Sequence, residues 1–93
     1  MRFEWDAAKN RANHVKHGVT FETAARVFED PNYIVIEDRT GGDGETRWHA
    51  IGLLGAVVLL VVYVYRSTID EEQIIRIISA RKARKQESRG YFQ

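Results

Sequence analysis

Basic side chains stand at the end of an isoleucine-rich segment near the C-terminus. Residues 74–83 read Ile-Ile-Arg-Ile-Ile-Ser-Ala-Arg-Lys-Ala. Isoleucine fits a pleated, buried surface, so residues 74–78 predict an interior strand. Arg76 interrupts this strand, and Arg81 and Lys82 follow it. Guanidinium groups held still beside a buried strand suit a site for phosphate or carboxylate.

Two more arginines, Arg47 and Arg66, lie in or beside apolar segments, so four guanidinium groups accompany three predicted strands. An arginine on an edge strand often only prevents aggregation, which could explain one or two of them. If several share one sheet face, they could neutralise a phosphodiester and the charge that develops in its transition state.

The first predicted helix carries polar side chains at i, i+3, i+4 and i+7, which place them on one face. They are Asn10, Asn13, His14 and His17. This face could be an ordinary solvated surface, with His17 near the negative end of the helix dipole. Alternatively, His17 or the adjacent Lys16 could act as a general acid or base. A metal is not expected, because cysteine is absent and His49 is the only further histidine.

Two aromatic residues, Trp48 and Tyr63, alternate with the basic strand positions. They could belong to the core or the sheet surface, or they could stack on the bases of single-stranded RNA. The glycines in residues 41–44 lack the Lys-Ser/Thr of a phosphate-binding loop and precede a strand, which excludes that site.

Local patterns place these residues on helices and strands. The predicted strands are Arg2–Trp5, Asn32–Asp38, Thr46–Leu53, Val57–Tyr65 and Gln73–Ala80, with a loop at Thr40–Gly44 and a tight turn near Gly55. The predicted helices are Ala7–His17, Phe21–Phe28 and a basic helix at about Lys82–Arg89. We expect Ala8, Ala12 and Val15 to form the buried stripe of the first helix. The last helix is weak, because Gly90 is unfavourable and no good capping residue precedes Lys85.

The order of these elements predicts an α+β fold, with a mainly antiparallel sheet, N-terminal helices packed on it and a short C-terminal helix. The 93 residues, 44% of them hydrophobic, fit a single domain spanning residues 1–93. Residues 1–17 carry four Lys/Arg against two Asp/Glu, and residues 76–93 carry six against one. Residues 18–75 carry four against ten. A basic face is therefore possible although the net charge is only +1.

The longest apolar run, residues 51–65, has glycines at 52 and 55 and is shorter than the roughly 20 residues of a membrane-spanning helix. A hairpin explains it better. The N-terminus has no apolar segment typical of a secretory signal. We therefore expect a cytoplasmic protein that does not bind membranes.

Motifs along nearly the whole chain resemble the BrnT toxin family. The N-terminal motifs are Phe3-x-Trp5-Asp6-x-x-Lys9, Asn13-x-x-Lys16-His17-Gly18, Phe21-x-x-Ala24 and Val27-Phe28-x-Asp30. The later ones are Glu45-x-Arg47, Ala50-Ile51-Gly52, Val61-Val62-Tyr63 with Arg66, residues 75–83, and Glu87 with Tyr91.

The resemblance implies a type II toxin–antitoxin toxin with a RelE-like fold, a small ribonuclease that cuts RNA, inhibits translation and arrests growth. It implies a BrnA-type antitoxin that binds the toxin in a hetero-oligomer and alone contacts operator DNA. We interpret the chain as a metal-independent endoribonuclease in which the ribose 2′-OH attacks the adjacent phosphate, giving a 2′,3′-cyclic phosphate.

In this interpretation the catalytic residues are Lys16, His17, Arg47, Arg66 and Arg81, and the RNA-binding residues are Trp48, Tyr63, Arg76 and Lys82. Lys16 or His17 would transfer protons, and the catalytic arginines would hold the phosphate. The alternative is a non-catalytic module that binds nucleic acid, or an acidic protein, with the same basic face.

Overall fold

A computed structural model describes residues 1–39 and 44–93. Its strands are β1 (Arg2–Glu4), β2 (Ile34–Asp38), β3 (Arg47–Leu54), β4 (Val57–Ser67) and β5 (Gln73–Lys82). Its helices are α1 (Ala7–His17), α2 (Phe21–Ala25) and α3 (Lys85–Phe92), and a 3₁₀ turn at Arg26–Glu29 follows α2. Most of the predicted loop at Thr40–Gly44 lies outside the described residues.

The strands form one mixed sheet in the order β1-β5-β4-β3-β2. Only the β1–β5 pair is parallel, and the other three pairs are antiparallel. This confirms the predicted α+β class with a mainly antiparallel sheet. The long apolar run forms the β3–β4 hairpin, and its turn contains Gly55 at a φ of 63°, a backbone conformation that glycine adopts without steric strain.

The core lies between α2, the 3₁₀ turn and one face of the sheet. Phe21 and Ala24 of α2 and Tyr63 and Ile77 of the sheet are almost completely buried there. The 3₁₀ turn approaches β3 so closely that a Cβ atom on Gly52 would lie 2.7 Å from Cγ1 of Val27. Only glycine at this position permits the contact.

Helix α1 packs against β5 through polar rather than apolar side chains. The predicted stripe of Ala8, Ala12 and Val15 is wrong: all three are exposed, Val15 by 90%. The buried residue is Asn13, whose amide donates to the Ala80 carbonyl (2.8 Å) and accepts from the Ala80 N–H (3.1 Å). This amide satisfies backbone groups of β5 beyond the end of β1, which explains why a polar residue is buried here.

Helix α3 begins later than predicted, at Lys85, because β5 continues to Lys82. Its first turn is capped by Glu87, which accepts from the Arg84 N–H at 2.7 Å. Gly90 lies inside the helix without ending it. The hydroxyl of Tyr91 donates to Asp30 at 2.5 Å and ties the end of α3 to the loop before β2.

Candidate active site

Alternation along the strands places four arginines on the sheet face opposite α1 and α2. Cross-strand partners share a face, and so do residues two apart on one strand. The strand register gives three rows of residues on this face: His49↔Val62↔Ser79, Ile51↔Leu60↔Arg81 and Val64↔Arg76↔Glu4. Arg47 lies two residues before His49, and Arg66 lies two residues after Val64, so both belong to the same face. We call the face that carries Arg47, Arg66, Arg76 and Arg81 the arginine face. The structure thus places on one face the arginines that the sequence left on three separate strands.

Two of these arginines share one carboxylate. Glu4, at the end of β1, accepts from Nε and Nη2 of Arg66 at 2.5 and 3.0 Å. Nη1 of Arg76 lies 3.5 Å from the same carboxylate. The hydrogen bond from Arg66 is the main reason that the pKa of Glu4 lies below its ordinary value. Glu4 therefore fixes two guanidinium groups side by side.

A second carboxylate holds Arg81, which lies within β5 rather than after it. Nη1 and Nη2 of Arg81 donate to the two oxygens of Glu87 at 2.8 and 3.0 Å. Both side chains are about three-quarters buried, and the hydrogen bonds from Arg81 lower the pKa of Glu87 to about 2. Arg81 thus joins β5 to α3 at the border of the arginine face, in addition to any functional role.

The arginine face also contains a histidine–carboxylate pair that the motifs did not reveal. Nε2 of His49 lies 3.1 Å from Oδ2 of Asp38, and Asp38 is the cross-strand partner of Arg47. The side chains are 27% and 16% exposed, respectively. The available sequence signal was the spacing of two between Arg47 and His49, which predicts that they share a face of β3.

Lys16 and His17 line a groove between α1 and β5, together with Ile78 and Ser79. Lys16 is exposed and His17 is half-buried. Ser79 pairs with Val62, so it also belongs to the arginine face. The two candidate proton-transfer residues are therefore at the edge of that face, beyond β5, rather than among the arginines.

Three of the predicted RNA-binding residues lie on the opposite side of the sheet. Tyr63 is 0% exposed, so its ring cannot stack on a base in this conformation. Trp48, half-buried, packs against Tyr65 with ring centroids 6.3 Å apart. Lys82 is exposed but alternates with Arg81 and so points to the opposite face. Arg76 alone of the four predicted residues reaches the arginine face.

In the part of the chain that the structure describes, no three His, Cys, Asp or Glu side chains are grouped as a metal site would require. Among the same residues, no helix has the length and hydropathy needed to cross a membrane.

The family model described as "Ribonuclease toxin, BrnT, of type II toxin-antitoxin system" matches residues 5–87, most of the chain. No curated protein matches the sequence. The match confirms the resemblance seen in the motifs. It includes β2 to β5 and the first turn of α3, and thus all four arginines of the arginine face. The chain belongs to the BrnT family of ribonuclease toxins, whose members act on RNA and are paired with an antitoxin.

Proposed function

We propose that this ribonuclease toxin is a metal-independent endoribonuclease that inhibits translation in the cytoplasm by cutting RNA. The supporting observation is that four arginines from three strands lie on one sheet face. Such an array can bind a phosphodiester and stabilise the extra negative charge of its transition state without a metal. The 2′-OH would attack the adjacent phosphate and leave a 2′,3′-cyclic phosphate and a 5′-OH.

In this proposal Arg47, Arg66 and Arg81 bind the reacting phosphate and its neighbours along the RNA, and Arg76 binds RNA beside them. The carboxylates of Glu4 and Glu87 hold three of these guanidinium groups in place before RNA arrives. A phosphate offers the same kind of paired oxygens as a carboxylate, so it can share or replace these contacts.

Lys16 and His17 would act from the groove beside β5, where Ser79 connects them to the arginine face. Their exposure leaves both able to contact RNA and exchange protons with it. Trp48 and Lys82 could contact RNA only where the RNA chain passes over the side of the sheet opposite the arginine face. Tyr63 has no place in the proposed RNA surface, because it is buried.

The antitoxin partner is proposed to be of the BrnA type, to form a hetero-oligomer with the toxin and to carry all contacts with operator DNA. Acidic side chains of such a partner could take the position of RNA on the arginine face, because they match its charge.

Incubation of the purified chain with RNA in EDTA tests the proposal. We expect cleavage products that carry a 2′,3′-cyclic phosphate and a 5′-OH. Arg66→Gln should cut roughly 10²-fold more slowly. The matched control Arg11→Gln changes an exposed arginine of α1 and should cut at the wild-type rate.

RNA that is bound but left intact by the folded wild-type chain would reject the endoribonuclease and favour the alternative, a binding module. Cleavage that appears only after addition of a divalent cation would reject metal independence.

A further inference from the structure

The pair formed by His49 and Asp38 has no part in the function proposed above, yet it lies on the arginine face. His49 is in β3, and Asp38 ends β2, its antiparallel neighbour. Both residues lie on paired strands, and Asp38, opposite Arg47, is diagonal to His49, with Oδ2 3.1 Å from Nε2. Groups on rigid strands are well suited to hold a reactive geometry.

The bond to Asp38 uses one ring nitrogen of His49, Nε2. Within residues 1–39 and 44–93, no partner contacts the other nitrogen, Nδ1. A carboxylate that accepts from one imidazole nitrogen fixes the tautomer and leaves a lone pair on the other. It also stabilises the imidazolium ion that forms when that lone pair takes a proton.

The surroundings of His49 match the needs of RNA cleavage. Arg47 precedes it by two residues on the same face, about 7 Å along the strand. On the other side of β4 are Ser79 and Arg76, two strand spacings or about 10 Å away. Between them on the same face lie Val62, which is half-buried, and Val64, which is buried. A phosphodiester placed over Val62 would have guanidinium groups on both sides and His49 within reach.

We propose that His49 is the general base of RNA cleavage and that Asp38 is the residue that positions it; this inference rests on the proposed ribonuclease mechanism. His17, the histidine suggested by the sequence, lacks this support: among the described residues no carboxylate contacts it, and it lies beyond β5. His17 and Lys16 then contact the RNA strand or the leaving group rather than the 2′-OH.

The reaction balances without another reactant. Nδ1 of His49 takes the proton of the 2′-OH, the O2′–P bond forms and the P–O5′ bond breaks. The leaving 5′ oxygen takes a proton from the α1 groove or from water. The imidazolium then returns its proton to the solvent, which restores the neutral ring and completes the cycle.

The substitution His49→Gln tests the proposal in the full chain. Glutamine keeps a donor for Asp38 but cannot carry a proton near neutral pH. We expect cleavage to slow at least roughly 10²-fold and the pH–rate profile to change shape. Binding of a 2′-O-methyl RNA of the same sequence should change less than about threefold. The matched control His14→Gln, on the exposed surface of α1, should cut at the wild-type rate with the wild-type pH profile.

Asp38→Asn gives an independent variant if His49→Gln does not fold. It should lower the maximal cleavage rate with little change in KM and shift the pH profile. Once the cut site of the wild type is mapped, an RNA with sulfur in place of the 5′ oxygen at that site distinguishes a general base from a general acid. A thiolate leaves without a proton, so this substrate should not rescue His49→Gln.

Three results would overturn the proposal. The first is cleavage at the wild-type rate by folded His49→Gln with an unchanged pH profile. The second is rescue of His49→Gln by the sulfur substrate. The third applies if His49→Gln does not fold, and is an unaltered rate and pH profile for Asp38→Asn. Failure of the wild type to cut RNA is a different outcome, because it removes the ribonuclease mechanism itself.

Discussion

Replacing Glu87 by glutamine should destabilise the fold at neutral pH and have little effect near pH 2. Glu87 accepts three hydrogen bonds, two from the guanidinium of Arg81 and one from the Arg84 N–H. It therefore joins β5 to the first turn of α3. Glutamine keeps one oxygen acceptor but loses the charge, so Arg81 is left about three-quarters buried without its counter-ion.

The pKa of Glu87 sets an upper limit on the stability that the variant can lose. It falls from 4.5 to about 2, chiefly because Arg81 donates hydrogen bonds to the carboxylate. One pKa unit corresponds to about 1.4 kcal/mol, so the whole shift corresponds to at most about 3 kcal/mol. Because glutamine retains part of the hydrogen bonding, we expect Glu87→Gln to lower the free energy of unfolding by about 1–2 kcal/mol at pH 7.

The pH dependence follows from the sign of the shift. The folded pKa lies below the unfolded one, so the stabilisation is complete above pH 4.5 and is lost as the pH falls toward 2. Urea unfolding of wild type and variant at pH 7, 5, 3 and 2 should show curves that converge at low pH. Glu72→Gln is the control, since Glu72 and Arg2 form an exposed pair at 3.3 Å and should contribute less than about 1 kcal/mol. An equal destabilisation by Glu87→Gln at pH 7 and pH 2 would show that the ion pair is not its cause.

Four further outcomes are expected. His17→Ala should slow RNA cleavage by roughly 10²-fold if His17 transfers a proton, and a wild-type rate from pH 5 to 8 would exclude this. Gly52→Ala should lower the free energy of unfolding by about 1–3 kcal/mol, because its Cβ meets Val27 at 2.7 Å. Gly90→Ala, with no atom within 4 Å of its Cβ, should raise that energy by about 0.5–1 kcal/mol, as urea denaturation can measure. Expression alone should arrest growth and co-expression of the antitoxin should restore it, while normal growth with abundant folded chain would contradict the toxin's action.

The strands could be predicted from the sequence because their patterns are local. Runs of Val, Leu and Ile interrupted by Gly55 gave the β3–β4 hairpin, and residues 74–78 gave the centre of β5. The buried face of α1 could not be predicted from hydrophobicity. It depends on Asn13 bonding to Ala80, 67 residues away, and no property of the helix alone reveals that contact.

The arginines of the candidate site could be predicted from the sequence, but Glu4, the carboxylate partner of Arg66, could not, because that contact joins residues far apart in the chain. Arginines in apolar strands are visible in the sequence, whereas their partners depend on which strands become neighbours. Glu4 reaches Arg66 only because β1 pairs with β5, and Asp38 reaches His49 only because β2 pairs with β3. Strand alternation turns Trp48 and Tyr63 to the face opposite Arg47, and only Tyr63 is fully buried there.

The carboxylates on the arginine face have a consequence for how RNA is selected. Guanidinium groups held by Glu4 and Glu87 are oriented before binding, so less rotamer entropy is lost when a phosphate arrives. The same carboxylates offset the positive charge and so weaken purely electrostatic binding to any polyanion. Tight binding then requires an oxygen placed within hydrogen-bond distance of one of these oriented guanidinium groups. A strand of RNA that presents a phosphate there can meet this requirement, and so can an acidic side chain of the antitoxin.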